Sequence, residues 1–121
     1  MKLSERQFAF FEERVRFWIN KFDLNEWMVF IKKSGKMRDD DACVEVDLSA
    51  MHAFITIRSD TDVVTNEWVE DCAQHEVIEL LFIKLQMMAE SREWSQAKFQ
   101  AEAHSIVHRI QNLIVKGGIG K

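Results

Sequence analysis

The sequence predicts a small α+β domain, with a leading helix, a three-stranded and mainly antiparallel sheet, and two closing helices. Three observations carry that reading. Apolar residues recur at steps of three and four near the N-terminus, short β-branched and aromatic runs fill residues 27–57, and helical periodicity returns from residue 65 onward. Ser4 followed by Gln7 is a capping-box signature, in which each side chain satisfies a backbone N–H at the helix start. Phe8, Phe11, Val15, Trp18 and Phe22 then share one face, which predicts a helix over residues 5–22 that packs against the central helix.

Trp27, Met28, Val29, Phe30 and Ile31 form a run too short for a helix and rich in strand formers, closed by Ser34-Gly35, so residues 27–31 read as a strand. Lys32, Lys33, Lys36 and Arg38 make the following turn basic, and Asp39-Asp40-Asp41 make the next loop acidic. Over residues 43–48, Val44, Val46 and Leu48 alternate with Glu45 and Asp47; a turn at 49–52 and a run at 53–57 complete an antiparallel hairpin. Thr65 or Asn66 caps a helix whose first turn carries Glu67 and Glu70, favourable beside the positive end of the helix dipole. This helix runs to about residue 88 and is apolar on several sides through Ile78, Leu81, Phe82 and Leu85, as expected of a central helix. After a polar interruption at Ser91-Arg92-Glu93, residues 95–115 place Phe99, Ala103, Ile106, Ile110 and Leu113 on one stripe, and Gly117-Gly118 end the helix.

At 121 residues, 47% hydrophobic and 30% charged, the chain has the size and composition of one globular domain, spanning 1–121. It has no uncharged apolar run of membrane-spanning length, and its charged N-terminus is unlike a signal peptide, which points to the cytoplasm. The two cysteines, Cys43 and Cys72, fall in a strand and a helix, which suits reduced thiols. A net charge of −4 argues against a general affinity for nucleic acid.

The chemistry is concentrated in His75-Glu76-Val77-Ile78-Glu79, one residue away from the H-E-x-x-H motif of zinc peptidases. Residues four apart share a helix face, so His75 and Glu79 can offer a nitrogen and an oxygen to one divalent ion. Glu76 is turned by about 100° from His75, an offset that lets a glutamate act as general base on a water at the metal. Trp68, Cys72 and Phe82 project to the same side. The plain alternative is a set of polar residues on an amphipathic helix. Against it stands the apolar setting between Ala73 and Leu81, where an unpaired charge, Glu79 above all, is expensive to bury. A third protein ligand would come from Glu102 or His104 on the last helix, whereas His108 faces outward and His52 sits in a surface turn.

The order of these parts is similar to that of the small metallopeptidases of bacteriophages and prophages. Phe17-Trp18, the Trp27 strand, Cys43-x-Glu45-x-Asp47, Ala53-x-Ile55-x-Ile57, His75-Glu76-x-x-Glu79-Leu80-Leu81 and Glu102-x-His104-x-Ile106-Val107-x-Arg109-Ile110 carry the resemblance along nearly the whole chain. It implies a minimal zincin-like fold with His75 as metal ligand, position 79 as second ligand, Glu76 as general base, and a third ligand from Glu102 or His104. The departure is Glu79, where that family has histidine.

A carboxylate in place of an imidazole adds negative charge around the ion and weakens it as a Lewis acid. Zinc is the first expectation. One histidine with Glu79 and Glu102 would make a harder set, suited to manganese or iron, while a metal-free cluster paired through protonated His75 or His104 is the rival. Three functions follow: a peptidase or other metal-dependent hydrolase with weak or lost activity, acting on a protein or peptide in the cytoplasm of a host cell; a binding or inhibitory protein on the same scaffold; and a structural phage component.

Overall fold

A computed structural model describes residues 2–37, 40–61, 64–90 and 95–115. Arg38, Asp39, the interruption expected at Ser91-Arg92-Glu93 and the stop expected at Gly117-Gly118 lie outside the described residues. The elements run α1 (Glu5–Lys21), β1 (Met28–Ser34), β2 (Ala42–Asp47), β3 (His52–Arg58), α2 (Asn66–Glu90) and α3 (Gln96–Val115), an α+β fold.

Both halves of the capping box are present at Ser4 and Gln7. At its other end α1 is closed by a Schellman turn: Leu24 N–H reaches Ile19 C=O and Asp23 N–H reaches Asn20 C=O. Asp23 takes the left-handed conformation this turn requires, with φ 54°. The turn drops Leu24 and Trp27 into the core just ahead of β1. Thr65 caps α2 by accepting from Trp68 N–H, and Ser95 caps α3 by accepting from Lys98 N–H.

The sheet has strand order β1-β3-β2. The β2–β3 hairpin is antiparallel, and β1 joins the other edge of β3 in parallel, with Phe30 opposite Phe54 and Ile31 opposite Ile55. β1 extends past Ile31 because Lys32 and Lys33 continue that pairing opposite Thr56 and Ile57; the basic turn expected there begins only after Ser34. Ala53, Ile55 and Ile57 alternate along the central strand and are fully buried on its inner face, where they meet Phe11, Val15, Val69, Ala73 and Val77 in one core. α1 and α2 form the main helix pair, and α2 also contacts β2 and β3. His52 is the first residue of β3, on the outer face of the sheet, with its ring edge-on to Phe30 and Phe54. Among the described residues, no helix is long and apolar enough to cross a membrane.

α2 departs from expectation in one respect. Its buried positions form a single stripe, Val69, Cys72, Ala73, Glu76, Val77, Leu80 and Leu81, while Ile78 and Phe82 are left exposed. The helix is covered along one side, and apolar residues off that side stay in solvent.

Candidate metal centre

That stripe decides the character of the site. Successive steps of four residues carry Cys72 to Glu76 to Leu80, so the glutamate after His75 is turned into the protein and is only 3% exposed. His75 and Glu79 sit on the flank of the stripe, with side chains 68% and 51% exposed. Glu79 is therefore not the buried carboxylate that the apolar neighbourhood suggested; Glu76 is.

His75 Nε2 and Glu79 Oε1 are 3.5 Å apart. Ligand atoms of His75, Glu76 and Glu79 all lie within 4.8 Å of one another, a group that could hold a metal ion. Two ligands about 2.1 Å from a tetrahedral ion stand roughly 3.4 Å apart, so the His75–Glu79 spacing fits one edge of such a site. Glu76 adds a second indication: its Oε1 is buried and, among the described residues, has no hydrogen-bond partner. Burial, then its hydrogen bond with Glu79 and the charges of Glu79 and Asp40, push the Glu76 carboxyl up to about 8.

The cleft above this group has a volume of about 400 Å³ and is lined by Asp40, Asp41 and Ala42 on the hairpin side and by Trp68, Asp71, Cys72, His75 and Glu76 from α2. Ala42, the first residue of β2, and the two aspartates before it form that wall, rather than the hairpin of residues 43–57. Trp68 Nε1–H donates to Asp41 Oδ2 at 3.3 Å and ties the walls together. Cys72 and Cys43 are free thiols. Burial first, then the charges of Asp41, Glu76 and Asp71, push Cys72 up to about 12, so it is a protonated part of the wall.

The third ligand expected from α3 is not brought to this group, which among the described residues comprises His75, Glu76 and Glu79 alone. Arg109 of α3 bonds Glu26, which also pairs with Lys84 of α2. Lys84 lies nine residues past His75, about 13 Å along the helix, so this tie is made well away from the cleft. His104 instead stacks edge-on with His108 at 4.5 Å, and Glu102 is half-buried on the same helix. Asp71 was not distinguishable as a site residue in the sequence, whereas Asp40 belongs to the acidic run at 39–41; the approach of Asp40 and Asp41 to α2 brings the three aspartates to one cleft.

Glu76 yields a direct prediction for the metal-free protein. Between about pH 4.5, the usual carboxyl value, and about pH 8, the folded chain holds a proton at Glu76 that the unfolded chain has lost. Stability should therefore fall as pH rises through this window, by up to about 1.4 kcal/mol per pH unit. Glu76→Gln should flatten that slope and leave the variant more stable than the parent at pH 8. Equal slopes in denaturant titrations with chelator would show that Glu76 is not a buried acid.

No family model, curated protein or solved structure matches this chain.

Proposed function

We propose that the cleft is a divalent-metal site on a minimal zincin-like scaffold of the small phage metallopeptidase kind, with weak or lost peptidase activity. The observation that carries this reading is Glu76, a buried carboxyl with an unpaired oxygen in reach of both His75 and Glu79. His75 and Glu79 would hold the ion from the flank and Glu76 from the floor, a set of one imidazole and two carboxylates that suits manganese or iron as well as zinc. When bound, the ion supplies Lewis-acid polarisation of a substrate carbonyl.

The limit on activity lies in the same residue. A zincin needs a third ligand and a free general base, and in this cluster Glu76 is the carboxylate called on for both. A carboxylate engaged as a ligand is a poor base, and one held protonated by its surroundings is no base at all until it loses that proton. This competition also favours a second reading, in which the scaffold binds a protein partner and no longer cleaves it.

Melting curves with and without chelator test the metal. Metal-loaded protein should lose about 2.7 kcal/mol of stability on chelation if the ion is present at about a hundred times its Kd, and regain it with zinc or manganese. His75→Ala should respond to neither. If the parent melts identically with and without chelator and carries no metal as purified, the His75–Glu79 contact is an ordinary ion pair and the metal reading fails.

A further inference from the structure

We propose that this cleft selects a peptide segment by an arginine or lysine side chain, held by the indole of Trp68 and the carboxylates of Asp41 and Asp71. The inference rests on the reading of the cleft as a peptide site and adds the class of side chain it takes. Its volume, about 400 Å³, is within the range of small ligand sites.

The first support is charge. Asp40, Asp41 and Asp71 line the cleft beside Glu76, and among the described residues no lysine or arginine does. Among the described residues, none of the three aspartates is in an ion pair: the basic side chains that do pair have taken Glu70, Asp60 and Glu26. Among the described residues, the charges acting on Cys43, Cys72 and Glu76 come from carboxylates. The second support is independent of the acidic rim. Glu76 lines the cleft, is almost wholly buried, and has an Oε1 without a hydrogen-bond partner among the described residues, a polar atom that a ligand would satisfy. An ion at His75 and Glu79 would satisfy that floor and still leave Asp40, Asp41 and Asp71 uncompensated above it.

Trp68 supplies what a plain acidic patch lacks. Its indole lines the cleft, half-buried, and is fixed by its hydrogen bond to Asp41. An aromatic face beside carboxylates is the combination that recognises a guanidinium or ammonium group, through cation–π attraction and charge-assisted hydrogen bonds. Arginine suits it better than lysine, since a planar guanidinium can stack on the indole while its N–H groups reach the carboxylates.

The test compares a short blocked alanine peptide carrying one central arginine with the same peptide carrying citrulline, which keeps the shape and removes the charge. Affinities are measured by fluorescence polarisation on the full chain, with added zinc and with chelator. The arginine peptide is expected to bind about tenfold tighter, and Asp41→Asn with Asp71→Asn should reduce the advantage to about threefold or less. Both aspartates are exposed, and Asp41→Asn keeps a side-chain oxygen to accept from Trp68, so the double variant should keep the parent's melting temperature and metal content. Equal affinity for the two peptides overturns the proposal, as does an advantage that survives in the double variant. An arginine preference that persists in protein shown to bind no metal supports the cationic subsite while the metal reading fails. Metal binding with no arginine preference does the reverse.

Discussion

Trp18→Ala is expected to destabilise the protein by about 3 to 5 kcal/mol, the range for deleting a buried aromatic side chain. Trp18 is 3% exposed, edge-on to Phe17 at 5.0 Å and tilted against Phe22 at 5.9 Å. Its Nε1–H donates to Glu70 Oε1 at 3.1 Å. The same carboxylate receives both arms of the Arg14 guanidinium, at 2.6 and 2.9 Å, and Gln74 Nε2–H at 3.0 Å. Burial acts to raise Glu70, but the hydrogen bonds from Arg14, Gln74 and Trp18 outweigh it and hold the carboxyl below its usual value. Removing the indole therefore opens a cavity between α1 and α2 and strips one donor from the polar group that joins them. Trp18→Phe separates the two effects, since it keeps most of the volume and should cost nearer 1 kcal/mol through the lost hydrogen bond. Denaturant unfolding of the three proteins measures both, and a change under about 1 kcal/mol for Trp18→Ala would mean that Trp18 does not hold the helix pair together.

Elements specified by neighbouring residues were legible in the sequence. The Ser4–Gln7 box, the cap at Thr65, legible as Thr65 or Asn66, and the alternation of Val44 and Val46 with Glu45 and Asp47 each place backbone or side chains through contacts a few residues long. The parallel pairing of β1 with β3 was not, because it depends on which free edge of the hairpin the strand meets after folding. The site divides in the same way. His75 and Glu79 meet through helical spacing alone, so their proximity could be read directly. The burial of Glu76 was also written in the sequence, in the stripe from Val69 through Cys72 to Leu80, whereas the H-E-x-x-E spacing specifies the chemistry of that residue and not its depth on the helix. Glu102 and His104 illustrate what spacing cannot supply. Glu102 is half-buried and His104 exposed on α3, and whether they reach His75 depends on where two helices cross; α3 is tied to α2 and the α1–β1 turn through Arg109, Glu26 and Lys84.

Glu79→His is expected to raise hydrolytic activity toward an unspecific peptide by about 10²-fold or more, the lower end of what a positioned general base contributes. The substitution completes the H-E-x-x-H pattern and removes a negative charge from beside Glu76. Glu79 acts to raise the Glu76 carboxyl, so its loss should bring Glu76 down, while burial, the largest cause, still holds it up; an ion at the site would favour the ionised form, which can accept a proton. Position 79 is 51% exposed at its side chain, so the change should leave the fold intact. A fluorogenic peptide assay and metal analysis of parent, Glu79→His and the Glu79→His/Glu76→Gln double variant measure the effect. The double variant should bind metal and lose the gained activity, which assigns the proton transfer to Glu76. If Glu79→His gains metal and activity while the parent has neither, position 79 marks a hydrolase that has lost its chemistry. If it gains metal but cleaves nothing, Glu76 is committed as a ligand, and binding a partner becomes the better account of the scaffold.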